Sequence, residues 1–455
     1  MRIESGGPGT VGVPVKVLFI EKVAVDEAKR ITSHPCIINI KNTGDVLDQD
    51  RTARVEVDEA TIEGSLPASS SCPPRRHPAP TPVSTLLGST SFFFSINASG
   101  APRLLLQLNV RLLGRRPEIM DAANEVVDEV SGWLRVFADG TVDRTWTGPK
   151  EVSYLLDPVT PSNKPDDGVS IRDVVIDPDS GALARIYLPE DAPESGKLPI
   201  LLHFQGGGFC VSRPDMNFYY AFYSSLVKKA GAVCVSPWLR LAPENRHPAA
   251  LNDAYASLMW LRSVARAEVS EPWLESRADF GRVFLIGDSS GGNLVHAVAA
   301  RAGEEDISPL VLRGGIPIHP GFVRSTRSKS ELSLQSDSAF LTLEMVDKFL
   351  GFALPIGSTK DHPFTCPMGE AARPLNTLKL PDFLVPVADN DLIRDTELEY
   401  IEAMKKAGQK VEVLMNFGVG HCFYLNRIAV DTDPRVAQET EKFIEAITRF
   451  IEERR

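Results

Sequence analysis

Three residue types in a fixed chain order frame the chemistry open to this sequence: a serine at 289, aspartates at 389, 391 and 395, and a histidine at 421. A serine hydroxyl is a weak nucleophile at neutral pH. It needs a base to take its proton, and the base needs a carboxylate to orient it. Ser289 stands in Val283-Phe284-Leu285-Ile286-Gly287-Asp288-Ser289-Ser290-Gly291-Gly292-Asn293. Four consecutive apolar residues read as a buried strand, and Asn293 to Ala302 reads as a helix. Between them Gly287 to Gly291 fits G-x-S-x-G. The glycines allow a turn in which a Cβ would strike the strand or the helix, and the turn lifts the serine hydroxyl clear of the sheet. Small residues alone make loops, so it is the strand-to-helix setting that marks Ser289 as a nucleophile.

In an open sheet with helices on its faces, the remaining groups belong on loops at the carboxyl ends of strands. Phe383 to Val387 reads as a late strand and is followed by Asp389, Asp391 and Asp395. Asp395 fits a helix N-cap, while Asp389 and Asp391 both remain candidates for the acid. Val411 to Phe417 is followed by Gly418-Val419-Gly420-His421, so His421 is the candidate base. His319 follows a strand but precedes the aspartates, and reads as structural. His203 reads as a satisfied polar group and His296 as packing. After the strand Leu198 to Phe204 comes Gln205-Gly206-Gly207-Gly208-Phe209, a backbone able to turn N–H groups toward one point. With the first N–H of the following helix, the expected oxyanion donors are Gly206, Gly207 and Ser290. No phosphate loop, dinucleotide fingerprint or metal-ligand spacing is present, so neither cofactor nor metal is expected.

The elements that must position these groups follow in order. Val169 to Ile176 and Leu183 to Leu188 flank Asp177-Pro178-Asp179-Ser180-Gly181 as a hairpin. Strands then alternate with helices at Met216 to Ala230, Pro248 to Val264, Met345 to Ala353, Asp395 to Ala407 and Pro434 to Ile451. That alternation predicts an α/β protein with a mostly parallel, mixed sheet covered on both faces. Ala122 to Val136 has apolar residues at helical spacing. Residues 1 to 118 differ: Val15 to Val23 and Ile37 to Ile40 are short apolar pieces, and Ser91 to Leu113 is apolar but broken by arginines. Ser65 to Pro82 is Ser/Pro-rich and reads as disordered. The segment is expected to be a low-complexity or disordered extension of unknown role, possible as wrongly predicted coding sequence, with residues 119–455 as the working domain.

A net charge of −11 argues against nucleic acid or an anionic membrane as the partner. The six cysteines form no paired framework, and no run of 18 apolar residues occurs, so reduced thiols in a cytoplasmic, also nuclear, protein are expected. The oligomeric state is left open.

Five ordered segments resemble plant carboxylesterases of the hormone-sensitive-lipase branch of the α/β-hydrolase fold: His203 to Cys210, Arg240-Leu241-Ala242-Pro243-Glu244, Gly287 to Asn293, Asp391 to Asp395, and Gly420-His421. The resemblance implies a carboxylic-ester hydrolase with Ser289 as nucleophile, His421 as base and Asp391, the first aspartate of D-x-L-x-D, as the orienting acid. It also implies a helical lid over about residues 119–167, and Phe209, Tyr219, Tyr220 and Phe423, placed near the glycine loop, the following helix or the histidine loop, are expected to line an apolar, partly covered pocket for small neutral esters. Gln205 departs from the family's usual histidine, which braces the glycine loop. The family includes gibberellin receptors, which lack the catalytic histidine, and hydroxyisoflavanone dehydratases, so a hormone receptor or such a dehydratase is the alternative.

Overall fold

The computed structural model describes residues 125–163, 167–190, 196–334 and 341–454, together with four strands nearer the start. The chain divides into two compact units, Met1–Asp121 and Ala122–Arg455. In the first, strands Ile37–Asn42, Ala53–Val55, Ser89–Ile96 and Leu104–Arg111 form an antiparallel sheet. The first of these covers the short apolar piece Ile37 to Ile40. Val15 to Val23 and Ser65 to Pro82, for which the sequence raised expectations, lie outside the described residues.

The second unit is built on eight strands: β1 (Val169–Asp177), β2 (Ala182–Pro189), β3 (Leu198–Phe204), β4 (Val233–Pro237), β5 (Ala278–Asp288), β6 (Leu312–Ile318), β7 (Asp382–Ala388) and β8 (Val411–Asn416). Their order is β8-β7-β6-β5-β3-β4-β2-β1, and β2 pairs antiparallel with both of its neighbours while the pairs from β4 to β8 are parallel. The mixed sheet expected from the opening hairpin is present. Successive side chains point to opposite faces of a strand. Along β3, Ile200, Leu202 and Phe204 thus join one buried cluster and Leu201 the other. Helices α2 (Ala249–Ala265), α3 (Ser290–Ala302) and α5 (Arg394–Lys406) supply the first cluster. Helices α1 (Asn217–Ala230) and α6 (Pro434–Glu452) supply the second. Continuous apolar strands are what burial on both faces requires.

Residues 126–143 do not form the expected helix. They make three short antiparallel strands, Val126–Val130, Leu134–Phe137 and Val142–Asp143. Val130 and Leu134 sit four apart, which mimics a helical stripe, but they are cross-strand partners on either side of a turn. Gly132, at φ 79°, reverses the chain there, and the Trp133 N–H closes the turn on the Val130 carbonyl at 2.9 Å. This small sheet is fastened to the main body. Arg144 donates to the Cys210 and Ala242 carbonyls and pairs with Glu244 at 2.6 Å. Lys348, on helix α4 (Leu343–Ala353), donates to the Glu129 carbonyl at 2.6 Å.

Phe450 of α6 is buried against Phe284 of β5, in the space that Gly314 of β6 leaves open. Phe450→Ala is expected to cost roughly 3–5 kcal/mol, the usual range for emptying such a site. Denaturant unfolding of both proteins measures it, and a loss of only a few tenths would mean that the sheet collapses into the cavity.

Candidate active site

β3 and β5 are neighbours in register, with Phe204 opposite Gly287, so the glycine loop after β3 and the serine turn after β5 emerge side by side. Ser289 has φ 52° and ψ −121°, a conformation that costs an L-residue of order 1–3 kcal/mol and is held only by its surroundings. What holds it is close packing. The Ser289 N–H donates to the Ile318 carbonyl at 2.9 Å, and a Cβ on Gly291 would strike the Phe204 carbonyl oxygen.

The loops after β7 and β8 bring the other two groups together. His421 Nδ1 lies 2.6 Å from Asp391 Oδ2, and Asp391 Oδ1 accepts the Ile393 N–H at 3.0 Å. Burial alone would raise the Asp391 carboxyl, but the charge and hydrogen bond of His421 hold it below the ordinary aspartate value. The competing aspartates are committed elsewhere. Asp389 Oδ1 accepts the Gly418 N–H at 2.7 Å, and Asp395 accepts from Arg394 and from the Ser330 N–H. Asp395 lies inside the first turn of α5, not at its N-cap, which is Ile393. His421 Nε2 is buried with no hydrogen-bond partner among the described residues, and His421 and Ser289 line the same cavity. His319 Nδ1 accepts the Cys422 N–H at 2.9 Å and so braces the histidine loop, as its structural reading requires. His296 Nδ1 packs on the Tyr400 hydroxyl at 2.9 Å.

The oxyanion expectation needs one correction. The Gly206 N–H is spent on the Tyr219 hydroxyl at 2.8 Å, and Gly206 does not line the cavity. Gly207, Gly208 and Ser290 do line it, and among the described residues no acceptor takes the N–H of Gly207 or Gly208.

A buried network that sequence reasoning missed fixes this loop. Gln205 Nε2 donates to Ser236 Oγ at 2.6 Å and to the Pro237 carbonyl at 2.8 Å. Ser236 Oγ lies 2.7 Å from His203 Nδ1, and His203 Nε2 lies 3.3 Å from Asp288 Oδ1. Tyr219 donates to Asp288 Oδ2 at 3.0 Å while accepting from Gly206. Burial lowers the His203 imidazole below its usual value, against the pull of Asp288, so the ring is neutral. One arrangement satisfies Ser236, His203, Asp288 and Tyr219: Ser236 donates to Nδ1, and Nε2–H donates to Asp288, while Gln205 Oε1 has no hydrogen-bond partner among the described residues. Gln205 thus ties the loop to the end of β4, the bracing role expected at that position. The signal was in the sequence as polar residues at the ends of three adjacent strands, but only pairing order shows that they meet.

Of the expected pocket residues, Phe209 and Tyr219 line the cavity. Tyr220 and Phe423 do not. Tyr220 points its hydroxyl to Asp167 at 2.7 Å, being one position round the helix from Tyr219. Phe423 packs against Phe443 in the second core cluster, because a short 3₁₀ turn follows His421 and directs it inward. The wall is instead supplied by Trp133 of the small sheet, by Phe218 and by Met345, Val346, Phe349 and Leu350 of α4. The cover over Ser289 is therefore made partly by α4, a role that its sequence did not reveal. The cavity encloses about 90 Å³, and no lysine or arginine lines it among the described residues.

Two buried groups bring ligand-type atoms within 4.8 Å of one another: His319, His421 and Cys422, and Asp391, Glu397 and His421. Sequence spacing hid both, since each draws on separate loops. In the second, Asp391 and His421 already hold each other at 2.6 Å. Burial also pushes the Cys422 thiol and the Glu397 carboxyl well above their ordinary values, so both protons would have to leave first. Among the described residues no helix is long and apolar enough to cross a membrane.

Gln205→Ala is expected to lower kcat with little change in KM, by less than the roughly 10²-fold of losing an oxyanion donor outright. Gln205→His, which keeps a ring N–H for the same acceptors, should retain more activity than the alanine variant. Steady-state kinetics decide it, and wild-type rates for Gln205→Ala would show that the loop needs no brace.

Residues 201–425 match a family described as alpha/beta hydrolase fold. The chain is 35% identical over 303 residues to Probable carboxylesterase 6 of Arabidopsis thaliana, covering 66% of this chain and 85% of that protein. It is 39% identical over 290 residues to Gibberellin receptor GID1C of the same plant, covering 61% and 79%. With Tuliposide A-converting enzyme 1, chloroplastic, of Tulipa gesneriana it shares 33% identity over 356 residues, 77% and 84% of the two chains. Among solved structures, an esterase of Pyrobaculum calidifontis matches with a TM-score of 0.51 and 26% identity over 62% of this chain and 84% of that one.

Proposed function

This chain belongs to the α/β-hydrolase fold family, among plant carboxylesterases and gibberellin receptors, and from that premise we propose that it is a serine carboxylesterase acting on small neutral esters. The observation that carries the reading is His421: Nδ1 is bound to Asp391 at 2.6 Å, while Nε2 is left without a partner beside the cavity that Ser289 lines. That is the tautomer a general base needs. A ligand-binding protein on this scaffold has no use for a poised base, which favours the enzyme over the receptor.

In the proposed reaction, Ser289 Oγ attacks the ester carbonyl carbon as His421 Nε2 takes its proton. The carbonyl π pair moves to oxygen, and the N–H groups of Gly207, Gly208 and Ser290 stabilise that oxyanion. The tetrahedral intermediate collapses, the alkoxide leaves with the proton from His421, and an acyl-Ser289 ester remains. Water, deprotonated by His421, attacks it and releases the carboxylic acid. Asp391 holds the imidazolium throughout. The lack of a lining lysine or arginine favours neutral substrates over anions, and the apolar wall from Phe209, Phe218 and α4 favours a compact acyl group.

Ser289→Ala and His421→Ala are each expected to lower kcat by about 10⁴-fold or more, and Asp391→Asn by a comparable factor. Asp389→Asn and Asp395→Asn should cost far less. A fluorophosphonate should label Ser289, and labelling of Ser236 or Ser290 instead would refute the assignment. Across p-nitrophenyl esters, kcat/KM should rise from acetyl by at most roughly 0.8 kcal/mol per methylene and fall well before dodecanoyl. A steady rise past dodecanoyl would mean that the cover does not limit the pocket. Saturable binding without turnover of any ester would favour the receptor.

A further inference from the structure

Glu397 has no part in the reaction just described, yet it lies within 4.8 Å of Asp391 and His421, counted between single side-chain ligand atoms of each. Its side chain is wholly buried, at 0% exposure, and neither carboxyl oxygen has a hydrogen-bond partner among the described residues. It stands in the first turn of α5, where the helix terminus favours an anion. Arg394, a cation whose charge reaches Glu397, is committed to Asp395 and to the Asp389 carbonyl, with bonds of 2.9 and 2.7 Å. The other titratable neighbours are no help to an anion. His319, from the loop after β6, is held by burial to about 3 and is neutral, and Cys422 keeps its proton. Two carboxylates this close in a dry site cannot both ionise. Asp391 has the imidazole and a backbone N–H for its charge, and Glu397 has neither.

We propose that Asp391 and Glu397 form a pair that carries one proton, with Glu397 as the neutral member, and that Glu397 is a positioning residue setting the alkaline limit of turnover. Burial first, then the Asp391 charge, push the Glu397 carboxyl well above the ordinary glutamate value, with Arg394 only partly opposing. At neutral pH the acid is silent. As pH rises its proton passes to solvent and a second negative charge appears beside His421. The imidazolium formed when Ser289 attacks then holds its proton more tightly and returns it less readily to the leaving alkoxide.

The role rests on the triad reading above, and the test separates the two. Glu397→Gln keeps the shape and is permanently neutral. It should match the wild type near pH 7, while the wild type alone loses kcat/KM at alkaline pH, by up to about tenfold for each pH unit above the midpoint of that limb until the fall levels off with Glu397 ionised. Stability must follow the same sign: a raised acid contributes stability below the ordinary glutamate value that is lost as pH rises toward its folded value. Glu397→Gln should therefore gain Tm relative to wild type as pH increases. Superimposable alkaline limbs, or a loss at pH 7 as large as that of Asp391→Asn, would overturn the proposal. Infrared spectroscopy of ¹³C-glutamate-labelled protein reads the proton directly. A buried carboxylic-acid band at pH 7 is expected in wild type and in Ser289→Ala, and its absence would refute the proton on Glu397 whatever Ser289 proves to do. The labelled wild type carries the test alone if the glutamine variant does not fold.

Discussion

Helix α3 enters so close to β3 that Gly291 has no room for a Cβ against the Phe204 carbonyl, and the rest of the site depends on that approach. It forces Ser289 into a left-handed conformation and points the first turn of the helix at the cavity. It also brings Asp288, at the end of β5, against the start of the glycine loop, where a Cβ on Gly206 would meet the Asp288 carboxyl. Strain of order 1–3 kcal/mol at one residue persists because the ladder pairs of β5 with β3 and β6 leave the chain no other path.

The polar groups beneath this junction are an expense that a purely apolar core would avoid. A buried polar group without a partner costs about 1–3 kcal/mol. Here the Gln205 amide N–H, Ser236, His203, Asp288 and Tyr219 are joined in a chain that ends on the Gly206 N–H, and of these only Gln205 Oε1 lacks a partner among the described residues. A connected network of this kind fixes geometry more strictly than apolar contact, which permits sliding. The loop presenting Gly207 and Gly208 is therefore held at both ends: by the network before them and by the Phe209 N–H on Ser290 Oγ after them.

Much of this was legible in the sequence wherever a local rule had one solution. G-x-S-x-G between an apolar run and a helix has a single geometry, so the serine turn was readable, as was the mixed sheet from its hairpin and alternation. The histidine loop followed from strand order, whereas strand order left Asp389 and Asp391 both open and only the family resemblance pointed to Asp391. What failed were questions that local spacing cannot answer. Val130 and Leu134 are four apart in a helix and equally four apart across a tight turn, and only Gly132 distinguishes the two. Gly206, Gly207 and Gly208 are identical in type, and which N–H remains open depends on Tyr219 arriving from α1, a residue distant in the chain. Tyr220 and Phe423 are aromatic beside cavity residues, but a step of one position on a helix or in a turn points them elsewhere. The wall from α4 was invisible because an amphipathic helix shows that one face is buried, not against what.

The same site treats three buried carboxyl groups in three ways, and the difference lies in the donors each receives. Asp288 receives Tyr219 and His203, Asp391 receives His421 and a backbone N–H, and Glu397 receives nothing. In a low-dielectric interior a carboxyl keeps its charge only where donors replace the water it lost. Charge in the site is therefore set by the loops that deliver donors and not by the count of acidic residues. On the proposed reading, Asp391 steers the imidazole because its acidic neighbour, Glu397, has no partner of its own among the described residues. An additional donor aimed at Glu397 would stabilise its anion, place a second negative charge against the first, and weaken the asymmetry on which a single orienting carboxylate depends. The bare surroundings of Glu397 are thus as much a part of the site's electrostatics as the hydrogen bonds to Asp391.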